Sequence, residues 1–218
     1  FSRAAKLLEE AARAPVPPEA AVELAATLGK WAEVLRIVGD YAGGAEVLKR
    51  AFASADARGD VRAAREALLL LSEMNFLRAD YPASLKNVEE VLRRAGGDPE
   101  TLARAFNGCG QIYRAVGDHE NARKFVRRSY ELLKRVGERA NKRDLGRTYQ
   151  GLASIYLDEG LPVTAVKCLD RALASARELG DRAETSRILL ALGRAQLRRS
   201  DYDAALRAFH AEHERRFG

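Results

Sequence analysis

The chain has 218 residues, 47% of them hydrophobic and 31% charged, with a formal charge of +6. That length supports a sizeable core, but the longest aliphatic run, Ala67 to Leu71, falls far short of a bilayer-spanning helix. The surplus of 37 Lys and Arg over 31 Asp and Glu favours acidic partners and is too small for the dense basic stripe of a dedicated nucleic-acid binder.

In chain order, Phe1 to Ala14 has the pattern of the second helix of a helix pair whose first helix is missing, with Ala4 in a small-residue slot. Together with a start at Phe1 instead of Met, this reads as a fragment of a longer array. Five helix–turn–helix units are predicted to follow, over 18–58, 60–96, 98–138, 140–180 and 181–218. Their turns are Gly39-Asp40-Tyr41, Ala79-Asp80-Tyr81, Gly117-Asp118-His119, Gly160-Leu161-Pro162 and Ser200-Asp201-Tyr202. Gly39, Gly117 and Gly160 suit the left-handed residue that ends a helix. Asp40, Asp80, Asp118 and Asp201 suit the cap that begins the next one. Between units, Gly59-Asp60, Gly97-Asp98-Pro99 and Gly180-Asp181 follow the same grammar, with Pro99 at a first helical position.

Around these turns apolar residues recur at helical spacing, as in Phe106, Cys109 and Tyr113 before a turn and Val166, Leu169 and Leu173 after one. No stretch alternates with period two, so no strand is expected. Two series of small residues keep register with the turns: Ala32, Ser72, Gly110, Ala153 and Gly193 on first helices, and Gly44, Ser84, Ala122, Ala165 and Ala205 on second helices. Antiparallel helices approach closely only where neither carries a long side chain, so the two series mark where each pair crosses. The spacing is close to forty residues throughout, which means a stacked array.

Small residue, Tyr three positions on, Gly-Asp-Tyr at the turn and Ala three after it resembles the tetratricopeptide repeat. "LASIYLDEGLPVTAVKCLDRALA" (Leu152 to Ala174) and "CGQIYRAVGDHENARKFVRRSY" (Cys109 to Tyr130) are the clearest copies. The unit is about six residues longer than the family's usual one, similar to the subgroup seen in the spindle adaptor LGN, kinesin light chain and bacterial signalling regulators. The resemblance implies an all-α, right-handed superhelical solenoid of antiparallel helix pairs. First helices then line a concave groove, where extended peptides or helices of partner proteins bind.

Little points to catalysis or a cofactor. His210 and His213 are three residues apart but have no third ligand in sequence, so no metal is expected. "GCGQIY" (Gly108 to Tyr113) lacks the third glycine and the preceding strand of a dinucleotide loop. Cys109 and Cys168 fall in apolar slots without metal-ligand spacing and read as inert thiols in a reduced, cytoplasmic setting. Trp31 occupies the core slot held elsewhere by Leu152.

The groove slots are more informative. In the last three units they hold Arg104, Asn107, Gln111 and Arg114; Arg147, Gln150, Ser154, Leu157 and Asp158; and Arg187, Leu190, Arg194, Leu197 and Arg198. That is six Arg against one Asp, with Arg104, Arg147 and Arg187 recurring at one slot as a ladder. In the first two units the matching slots hold Glu33, Arg36, Glu66, Leu69, Glu73, Phe76 and Leu77, three Glu against one Arg. Arg and amide side chains suit the carboxylates and backbone of a bound peptide, and Arg-x-x-Asn/Gln here resembles the peptide-binding ladder of the spindle adaptor group. The leading expectation is a protein–protein interaction scaffold that takes an acidic peptide or helix. The alternative is a regulatory or sensor domain of a larger bacterial signalling protein, such as an ATPase, kinase or transcription regulator. The acidic first units argue against RNA, and an exposed N-terminal helix allows self-association.

Overall fold

A computed structural model describes residues 18–217. Phe1 to Ala14, expected as half of a helix pair, lie outside the described residues. Ten α-helices and one 3-10 turn account for nearly all of the described chain, which contains no strand.

The chain divides into two compact units between Gly96 and Gly97. The first holds α1 (Pro18–Val38), α2 (Tyr41–Ala57), α3 (Val61–Leu77) and α4 (Tyr81–Arg94). The second holds α5 (Pro99–Ala115), α6 (His119–Val136), a 3-10 turn (Gly137–Arg139), α7 (Lys142–Asp158), α8 (Pro162–Glu178), α9 (Arg182–Arg198) and α10 (Tyr202–Phe217). Within each unit every helix packs on the next.

The turns work as their residues dictate. Asp40, Asp60, Asp80, Asp118, Asp181 and Asp201 each accept a hydrogen bond from the backbone N–H three residues on, which satisfies an otherwise orphaned donor of the first turn. Leu161 is the exception and leaves α8 without a side-chain cap. The residue before the cap has positive φ in each pair: +86° at Gly39, +83° at Gly117 and +73° at Gly160. Ala79 and Ser200 adopt the same left-handed backbone, φ 60°, without glycine's freedom.

The small residues do mark the crossings. Ala32, Ser72, Ala153, Ser84, Ala122, Ala165 and Ala205 are all buried. A Cβ added to Gly110 would lie 2.3 Å from Val126 Cγ2 and 3.2 Å from the Ala122 carbonyl oxygen, and one added to Gly193 would lie 2.3 Å from the Phe209 ring. Close approach leaves the larger residues to fill the space beside the crossing. In the first unit Leu28, Leu48, Leu71 and Met74 form a core, with Trp31 packed against it as its slot predicted. In the second, Val126, Leu152 and Ile155 join α6 to α7, and Leu169, Ile188 and Leu192 join α8 to α9. Fully burying a side chain of this size stabilises by roughly 1.5–3 kcal/mol.

Departures from an even period have local causes. The wide spacing between Ala122 and Ala165 accommodates the 3-10 turn at Gly137–Arg139. The narrow spacing between Ser84 and Ala122 reflects α4, which has 14 residues where most of the helices have 17. Glu212, on the last helix α10, is buried.

Candidate functional site

All ten candidate groove residues lie on α5, α7 and α9, the first helices of the three pairs in the second unit. Three side-chain contacts join these helices along one face. Arg104 Nε on α5 stands 3.7 Å from Asp144 Oδ1 on α7. Gln150 Nε2 on α7 donates to Glu184 Oε1 on α9. Arg198 Nη1 on α9 donates to the Leu157 carbonyl oxygen near the end of α7, at 2.9 Å, beside the backbone bond that this carbonyl accepts from Gly160 N–H.

The charge of this face differs from the sequence count. Asp144 and Glu184 lie one helical turn before Arg147 and Arg187, on the same side, and both carboxylates are engaged within the face. Asp144 is buried and pairs with Arg104. Glu184 pairs with Arg187 as well as accepting from Gln150. Six Arg are therefore set against three acids when Asp158 is included, and the exposed His119 Nδ1 stands 3.6 Å from Asp158 Oδ2.

The other candidates fall into two groups. Ser154 is engaged within its own helix, donating to the Gln150 carbonyl oxygen at 3.1 Å. Arg147, half-buried, makes no hydrogen bond or ion pair with any described residue, and neither do the exposed Gln111, Arg114 and Arg194. Asn107 is only 6% exposed, and its Oδ1 has no hydrogen-bond partner among the described residues. Gly151 makes room for that amide, because a Cβ there would stand 2.9 Å from Asn107 Oδ1. The same Cβ would stand 3.1 Å from Val126 Cγ1, so the Asn107 amide oxygen is packed between the helices and is not presented on the face.

In the first unit the matching acids are drawn onto their single cation. Arg36 lies 2.5 Å from Glu33 and 4.0 Å from Glu73, and the Glu33 hydrogen bond, with both carboxylates nearby, holds the guanidinium charged.

Other arginines serve the core. Arg128 lies over the Phe106 and Phe125 rings, with 5.8 Å and 6.0 Å to their centroids, and Arg171 lies over Tyr149 at 5.6 Å. Cys109 is buried and Cys168 half-buried, and burial pushes the Cys168 thiol up, away from the reactive thiolate. Among the described residues no cluster of His, Cys, Asp or Glu could hold a metal ion, and no helix is long and apolar enough to cross a membrane.

Sequential antiparallel helix pairs with capped turns and small crossing residues define a helical repeat domain of the all-α class. The chain belongs to the tetratricopeptide repeat family, whose model matches residues 64–135 and 144–210. Such arrays are in general protein–protein interaction scaffolds and are typically non-catalytic. No curated protein sequence matches the chain. Among solved structures it is similar to BtubC (BKLC) from P. vanneervenii, with a TM-score of 0.72 and 19% identity over 99% of this chain and 89% of that one. It also resembles a putative kinesin light chain with nearly identical repeats from Podospora anserina, with a TM-score of 0.59 and 14% identity over 87% and 92% of the two chains. A third likeness is to a signal transduction ATPase with a tetratricopeptide repeat sensor from Pyrococcus horikoshii, at 0.63 and 17%, over 90% of this chain and 30% of that one. At these identities the likeness is one of fold.

Proposed function

We propose that the face built by α5, α7 and α9 binds a peptide or helix of a protein partner that carries acidic side chains, and that the domain acts as a scaffold in a reducing, cytoplasmic setting. The observation that carries this reading is the half-buried Arg147 guanidinium, which pairs with no described residue and stands at the middle slot of the arginine ladder. A peptide supplies what it lacks, a carboxylate that Arg147 can grip through two parallel hydrogen bonds.

The test is affinity capture with the wild-type domain beside an Arg104→Glu/Arg147→Glu variant, read by mass spectrometry. A protein held by the wild type and released by the folded variant supports the reading. Identical capture by both sinks it.

A second reading is a sensor array within a larger signalling protein, favoured by the match to the repeat sensor of a signal transduction ATPase, of which the likeness spans 30%. A nucleotide-hydrolysing, kinase or DNA-binding domain encoded in the same gene would support that reading, and a gene encoding repeats alone would remove it.

A further inference from the structure

Deepening the groove reading, and resting on it, we infer that Arg147 is the residue that selects the partner's charge: the face takes a peptide with one carboxylate at the Arg147 register, not an acidic run. Arg104, Arg147 and Arg187 hold one slot on three successive first helices. Arg104 faces Asp144 across the gap between α5 and α7. The residue that would do the same for Arg147, across the gap between α7 and α9, is Glu184. That carboxylate is held by Gln150 on one side and Arg187 on the other. Arg147's neighbour along its own helix, Asp144, is turned to Arg104. The acid one turn before Arg147 and the acid that matches Asp144 on the next helix thus have other partners, and the middle rung pairs with no described residue.

Position strengthens the distinction. Arg114 and Arg194 also make no pair, but they are exposed, and solvent and salt screen such charges. Arg147 is half-buried, and a carboxylate arriving there meets it at a lower effective dielectric. Arg104 and Arg187 already have carboxylate partners, Asp144 and Glu184, and would have to give them up. They act as positioning residues. An acidic run would set its extra carboxylates beside the closed pairs Arg104–Asp144 and Arg187–Glu184, which offer them no free cation.

The probe is a phage-displayed library of random dodecapeptides selected on the wild-type domain. The expected result is enrichment of peptides with a single Asp or Glu at a fixed register. Arg147→Gln weakens their binding about tenfold or more, as loss of a charge-assisted contact does, whereas Arg187→Gln and the paired change Arg104→Gln/Asp144→Asn weaken it less than about threefold. The paired change removes both members of the Arg104–Asp144 pair together, and circular dichroism confirms that each variant folds. Replacing the peptide's acid with Lys restores binding to Arg147→Glu. Enrichment of acidic runs that all three positions weaken equally overturns the single-rung selection and leaves the groove reading standing. Peptides without acids, peptides indifferent to every substitution, or no enrichment at all overturn both.

Discussion

Ser72 and Ser84 bond each other across the crossing of α3 and α4 in a closed arrangement. Their hydroxyl oxygens are 2.9 Å apart, Ser72 Oγ reaches the Ser84 carbonyl at 3.0 Å, and Ser84 Oγ reaches the Ser72 carbonyl at 2.8 Å. Other pairs place Gly or Ala at this crossing, and the two hydroxyls fit here because each finds an acceptor in the other residue's backbone. Either Ser→Ala change is expected to cost about 1 kcal/mol. Each hydroxyl has its one proton for the other residue's backbone carbonyl, a partner that alanine keeps, so the double change is expected to cost close to the sum of the single ones. Urea denaturation of the four members of a double-mutant cycle measures the coupling.

The turn before α4 carries strain that its counterparts avoid. Ala79 sits at φ 60°, where Gly39 and Gly117 sit elsewhere. Ala79→Gly should therefore stabilise by about 1 kcal/mol, the order of the left-handed penalty for a residue with a Cβ, and Gly117→Ala should destabilise by a similar amount. Thermal melting of both variants gives the opposite signs that the backbone requires, and equal signs would remove the explanation.

The start of α8 lacks the cap that most of the helices have. Leu161 occupies the capping position, is 48% exposed and offers no acceptor to the first turn. Leu161→Ser supplies a hydroxyl without adding negative charge beside Asp158 and Glu159. It should stabilise by roughly 0.5–2 kcal/mol, visible as a raised melting temperature with an unchanged urea m-value.

Acid is expected to loosen the C-terminal end of α4. Hydrogen bonds from Arg93 and then Arg94 hold the Glu90 carboxyl below the ordinary glutamate range. Because the folded state binds this proton less readily than the unfolded chain, the contribution is fully present above about pH 4.3. It is lost as pH falls through the depressed folded value. The network is largely at the surface, so its worth is a few tenths of a kcal/mol to about 1 kcal/mol. Stability measured from pH 7 to pH 3 should show Glu90→Gln below the wild type at neutral pH and level with it in acid. A constant gap across that range counts against the assignment.

The architecture was readable because its signals are local. A cap such as Asp40 acts on a residue three away, Gly39 sets its own φ, and Ala32 or Gly44 declares the crossing by size alone. The face of α5, α7 and α9 was readable as a list of residues but not as a pattern of charge. Asp144 bonds a residue forty positions earlier, and Glu184 one thirty-four positions earlier. Those partnerships depend on the distance between helices, which no short window of sequence holds. The acids did leave a trace, since both stand three residues before a ladder arginine. Asn107 could be placed on the face, but its burial comes from packing beside Gly151 and Val126, and neither neighbour is visible from its own helix.

The capping aspartates have an evolutionary consequence. Each one starts its helix using a backbone N–H from that same helix, and each left-handed residue closes the helix just before it. The start and stop instructions thus travel with the segment they govern. Unequal recombination that duplicates or deletes one repeat leaves every remaining helix with its own ends intact, so array length can vary in a lineage while each surviving copy goes on diversifying its exposed residues.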